Sequence, residues 1–108
     1  MAKKKPQSLT FSKPAKPSRD TIKPQVDHVL NAACAHAGNP TQPEPIDDGK
    51  NLEDDLLIGP NTKAGLAVAY TAISLQYKGG KPVSIGDSAN CDTVGDAVDL
   101  VHDRANGH

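Results

Sequence analysis

This sequence predicts an all-α fold: a small bundle of three or four helices behind a disordered basic tail. Three segments carry that prediction. Residues 61–77 hold no acidic residue and one basic residue, Lys63, and are apolar on nearly every side. Such a segment reads as a central helix enclosed by neighbours or by a partner. Residues 25–37 and 93–105 each show one apolar stripe at helical spacing, the signature of outer helices.

The totals bound the rest. At 108 residues the chain forms one domain at most. Leu, Ile, Val and Phe number 21, close to the compositional border with disorder. Residues 1–24 hold seven Lys/Arg against one Asp, a net of +6; residues 25–108 hold five against twelve Asp/Glu, a net of −7. The near-neutral total therefore hides a basic tail on an acidic domain. The start lacks the apolar run of a secretion signal, which points to the cytoplasm and to reduced thiols at Cys34 and Cys91.

Residues 1–24 contain Pro6, Pro14, Pro17 and Pro24 and no apolar period, so the expectation is disorder. Lys3, Lys4, Lys5, Lys13, Lys16, Arg19 and Lys23 can neutralise phosphates, which makes a weak anionic-polymer binder one alternative. The acidic body and the lack of an aromatic platform argue against nucleic acid.

Residues 25–37 place Val26, Val29, Leu30, Ala33 and Ala37 on one stripe, with Gly38 and Asn39-Pro40 as the stop. His28 and His36 are eight apart and cannot share a metal on one straight helix. No paired-ligand spacing joins them to Cys34 or Cys91, so no metal site is expected.

Residues 39–50 read as a long loop with Ile46 tucked inward. Counted from Asp47, the sixth position is Leu52, where a calcium loop requires Gly, so the acidic cluster reads as a solvated face. Leu52, Leu56 and Leu57 predict a short turn that lays two leucines on the core.

For residues 61–77, Asn61 or Thr62 is the expected N-cap, and Gly79-Gly80 with Pro82 the stop. Gly65, Thr71, Ser74 and Gln76 interrupt the segment too often for a membrane span. Residues 86–90 read as a loop or a weak turn. In residues 93–105, Thr93 and Asp96 form an acidic capping box, and Val94, Ala97, Val98, Val101 and Ala105 form the inward stripe.

This order of parts resembles an acyl carrier protein over residues 26–104. Leu52-Glu53-Asp54-Asp55-Leu56 is similar to the stretch before that family's modified serine. Pro82-Val83-Ser84-Ile85 looks like the segment after its second helix, and Thr93-Val94-Gly95-Asp96-Ala97-Val98 like the start of its fourth. The resemblance implies a small acidic helical bundle. It also implies a serine in an Asp-Ser-Leu motif carrying 4′-phosphopantetheine, and none occurs here. Counting forward from Asp55-Leu56 puts Pro60 at the serine position; counting back from Tyr77 and Pro82 puts Lys63 there. Thr62 is the one nearby hydroxyl, a weak candidate for the cofactor, and Ser84 is the other non-standard acceptor. The acidic residues with which that family's second helix guides its partner enzymes are also missing from residues 61–77.

The expected function is therefore a non-catalytic, acyl-carrier-like domain without an arm. It is expected to act through an unidentified protein partner or self-association, with Leu66, Tyr70, Ile73 and Tyr77 as the contact surface and no cofactor. No pair of titratable groups near a nucleophile suggests an enzyme. Asp99 and His102, three apart, read as a surface contact.

Overall fold

The computed structural model describes residues 13–108, in which five helical segments pack into one all-α bundle. The expectations for Lys3, Lys4 and Lys5 lie outside these residues. Helix α1 spans Arg19–His36, α2 Pro60–Gly65, α3 Ala67–Ser74, α4 Ile85–Ala89 and α5 Val94–Ala105. Among the described residues the one β-type pairing is an isolated bridge from Asn51 to Thr93.

Helix α1 starts six residues earlier than its stripe suggests, so the boundary of the tail at residue 24 is corrected. Ser18 is the N-cap, its hydroxyl accepting from the Thr21 amide at 3.2 Å, and Asp20 sits in the positive first turn. Pro24 lies inside the helix and removes one backbone bond. Tertiary contacts offset that loss. Ile22 is fully buried, and Arg19 and Lys23 pair with acids from other elements. The inward stripe is Ile22, Val26, Asp27, Leu30 and Cys34; Val29 and Ala33 pack at its edge and Ala37 is exposed.

The expected central helix is present as two segments that meet at Leu66, whose ψ of −14° departs from the α-helical value of about −42°. Bonds from the Leu66 amide to the Thr62 carbonyl and from the Tyr70 amide to the Leu66 carbonyl, both 2.9 Å, keep the path helical on either side. Gly65, a poor helix former, precedes the junction. The N-cap is Gly59 with Pro60 in the first turn, not Asn61 or Thr62.

The polar residues of α3 hold the next segment. The Thr71 hydroxyl accepts from the Val83 amide at 2.9 Å, and the Ser74 hydroxyl donates to the Lys81 carbonyl at 2.7 Å. The turn between them requires glycine. Gly79 has φ +80°, and a Cβ on Gly80 would overlap the Ser74 carbonyl oxygen.

Helix α5 matches its expected stripe residue for residue: Val94, Ala97, Val98, Val101 and Ala105 are buried. The Thr93–Asp96 capping box is complete. Backbone bonds from Leu52 to Asp92, Val94 to Lys50 and Gly95 to Asp48 fasten the long loop to the start of this helix. Ile46, Leu52 and Leu56 reach the core from that loop, as expected, while Leu57 stays exposed at a left-handed φ of 61°.

Candidate functional site

The family resemblance directs attention to the start of α2. Gly59 and Pro60 stand there, and neither carries a hydroxyl. Thr62 is exposed in the first turn of α2 with its side chain at the wall of a groove. Ser84 is the N-cap of α4, its hydroxyl accepting from the Asp87 amide at 3.1 Å. One of its two lone pairs is thus engaged in holding a five-residue helix.

Lys63, which the spacing also places near the front of this helix, is 4 % exposed. Its ammonium pairs with Glu53 at 2.9 Å and lies 4.0 Å from Asp92. The Ser88 hydroxyl donates to the Lys63 carbonyl, which joins α4 to α2. The single cation of residues 61–77 is therefore a structural clamp between the acidic turn, α2 and the segment before α5.

Leu66, Tyr70, Ile73 and Tyr77 do not form a surface. They are 8 %, 1 %, 5 % and 7 % exposed, so the expected contact patch is corrected to part of the core. Their intervals of four, three and four residues describe one helix face, and α1 and α5 cover it. The Tyr77 hydroxyl accepts from Gln25 Nε2 at 2.7 Å. The Tyr70 hydroxyl, buried beside Cys91, has no hydrogen-bond partner, and burial raises its pKa well above the ordinary value.

The apolar surface lies elsewhere. Val68 is 78 % exposed and Leu75 39 %, seven residues apart on the outer face of α3. On a different face of the rod, an open groove of about 550 Å³ runs between α1 and α2/α3, and neither Val68 nor Leu75 lines it. Val29, Ala32, Ala33 and His36 form one wall; Thr62, Leu66 and Ala69 belong to the other. The helices run antiparallel along it: Gln25 meets Tyr77 at one end, and His36 stands with Thr62 at the other. No carboxylate or ammonium group lines it. The run Ala32-Ala33-Cys34-Ala35-His36-Ala37 is its sequence signal, because small side chains on α1 leave the space unfilled.

The electrostatics concentrate at the opposite end of α1. Arg19 pairs with Asp48 at 2.9 Å and Asp99 at 2.6 Å, and Lys23 with Asp27 at 3.1 Å and Asp48 at 3.0 Å. Burial opposes the charge on Asp48, but hydrogen bonds from Lys23 and Arg19 outweigh it and hold the carboxyl below its usual range. Fully buried Asp27 also accepts from the Ile46 amide at 3.0 Å. Asp99 thus serves Arg19, and the expected Asp99–His102 contact is not among the hydrogen bonds found. Two of the seven cations counted toward a phosphate-binding tail are engaged within the bundle.

Cys34 and Cys91 are both free and buried. Burial raises both thiols, Cys91 to about 11. Among the described residues no group of three or more His, Cys, Asp or Glu side chains is placed to hold a metal ion, and no helix is long and apolar enough to cross a membrane. A scan against protein-family models, a search of curated proteins and a search of solved structures each found no match.

Proposed function

We propose that this chain is an acyl-carrier-like helical bundle that carries no phosphopantetheine arm and works by binding a protein partner. The order of parts supports the carrier-like reading: a long α1, a loop with an acidic leucine turn, the α2/α3 rod, a short α4 and a capped α5. The absence of a hydroxyl at Gly59 and Pro60 supports the loss of the arm. The observation that carries the contact reading is the uncharged outer face of α3, where Val68 is 78 % exposed in a chain with 23 % charged residues.

A partner suited to this face presents an apolar segment without charges, since an ion brought against it would lose water and gain no counter-charge. The test is quantitative affinity capture from the cells that make the protein, with wild type and Val68→Glu as paired baits. Val68 points to solvent, so the substitution leaves the core intact. The proposal expects a specific partner that wild type captures and Val68→Glu loses. Equal capture by the two baits, or none by either, contradicts it.

A further inference from the structure

We propose that four lysines at one end of the bundle, Lys13, Lys16, Lys78 and Lys81, form a pole that docks an acidic stretch of the protein partner, continuous with the apolar face at Val68 and Leu75. The inference rests on the contact reading for the kind of partner and adds that partner's charge.

The pole is assembled from three stretches distant in sequence. The Lys78 amide donates to the Pro14 carbonyl at 2.9 Å, and the Lys81 amide to the Arg104 carbonyl at 2.8 Å. Asn106 Nδ2 donates to the Pro17 carbonyl at 3.1 Å. A Cβ on Gly107 would stand 3.1 Å from the Gly79 carbonyl oxygen. Residues 13–17, 78–81 and 104–107 therefore lie together, where α1 begins and where α3 and α5 end.

Charge is unevenly used in this molecule. Among the described residues, Arg19, Lys23, Lys63 and Arg104 are each paired with a carboxylate. The remaining lysines, Lys13, Lys16, Lys50, Lys78 and Lys81, are exposed and make no ion pair among the described residues. All but Lys50 stand at this one end. The exposed acids of the same three stretches and their flanks are Asp20 and Asp103, so the end is basic on an otherwise acidic body. Helix dipoles do not account for it. The last turn of α3 holds no basic residue, and that of α5 holds His102 and Arg104 rather than a lysine.

Continuity selects the occupant. Lys78 follows the exposed Leu75 by three residues, and no charged side chain is exposed from Pro60 to Gln76. A nucleic acid is charged at every nucleotide, so along that strip it would lose hydration and gain no counter-charge. A protein segment can be apolar over one stretch and acidic over the next. The pole also lacks a free fork for bidentate phosphate binding, because Arg104 is held by Asp87 and the His108 carbonyl.

Calorimetric titration of the full-length protein with poly-L-glutamate at low ionic strength tests the pole, with amide NMR shifts locating the contact. The expected result is salt-sensitive binding with shifts at residues 13–17, 78–81 and 104–108. Lys78→Glu combined with Lys81→Glu should weaken it about tenfold, whereas Lys50→Glu should change it by no more than about twofold. Both lysine side chains of the pair are exposed and unpaired, so far-UV circular dichroism should match wild type. No binding overturns the proposal, as does binding that survives the double substitution or falls equally with Lys50→Glu. Tighter binding to polyuridylate or to phosphatidylglycerol vesicles also overturns it and assigns the pole to nucleic acid or to lipid. The titration uses isolated protein, so its failure is separate from a failure to capture a partner through Val68.

Discussion

Replacing Asp27 with Ala tests the packing account at its most exacting point. Asp27 is fully buried in α1, where one carboxylate oxygen accepts from Lys23 and the other from the Ile46 amide. Truncation strips the buried Ile46 N–H of its acceptor, a cost of about 1–3 kcal/mol. It also removes one partner of Lys23. Breaking a fully buried pair costs about 3–5 kcal/mol, but Lys23 keeps Asp48 and the Ile46 carbonyl, so its share falls below that range. The expected loss is about 3 kcal/mol, a large part of the roughly 5–15 kcal/mol available to a domain. In thermal unfolding it corresponds to a fall of roughly 12–24 °C for a chain of this length. Asp27→Asn should cost about half as much, because its amide oxygen still accepts from Ile46 while its NH2 faces the Lys23 ammonium. Urea unfolding followed by far-UV circular dichroism measures all three proteins. An Asp27→Ala midpoint equal to wild type would refute the claim that Asp27 fastens the loop at Ile46 to α1.

Three further outcomes follow from the same coordinates. Leu57 holds a left-handed φ of 61° with its side chain 56 % exposed, so Leu57→Gly should raise stability by about 1 kcal/mol; a loss of that size in urea unfolding would contradict the strain argument. Asp48 has its folded pKa below the unfolded value of about 3.9. Its contribution is therefore present above that value and lost as pH falls through the folded pKa. Wild type should lose more stability than Asp48→Asn between pH 5 and about pH 2, and parallel curves would contradict the pairing with Arg19 and Lys23. Finally, Cys34 and Cys91 are buried, with thiols raised above the ordinary range, so neither should react quickly with an alkylating agent at neutral pH until the chain is denatured. A fast-reacting thiol in the native protein would be inconsistent with their place in the core.

The sequence showed α5 in full because every local signal agrees there. Thr93 and Asp96 mark the start, the stripe has no gaps, and acids lie at the positive end. At α1 the signals conflict. Pro24 looks like a boundary, while Ser18 and Asp20 form a start signal within a run of basic and proline residues. The helix extends back to Arg19 because Asp48 and Asp99, distant in sequence, sit where Arg19 and Lys23 emerge. Propensity cannot register such long-range pairing.

The misplaced contact surface has a different cause. Leu66, Tyr70, Ile73 and Tyr77 are the most apolar face of residues 61–77, and strong apolarity alone does not say whether the cover is a partner or the same chain. The bundle supplies that cover, which leaves Val68 and Leu75 as the outer residues. The groove was hidden because it is made of what alanines do not fill, and a pattern of large apolar residues is blind to that. The start of the rod is a smaller miss: the sequence favours Asn61 or Thr62 as its cap, whereas Gly59 caps it and Pro60 opens it, and none of these residues is a serine.

The account rests most heavily on the bundle having no attached arm. Its most direct test is the mass of the intact protein after incubation with coenzyme A and a broad-specificity phosphopantetheinyl transferase. The predicted mass is that of the bare chain. A single phosphopantetheine adduct mapped to Thr62 or Ser84 would contradict the account and make this protein a working carrier.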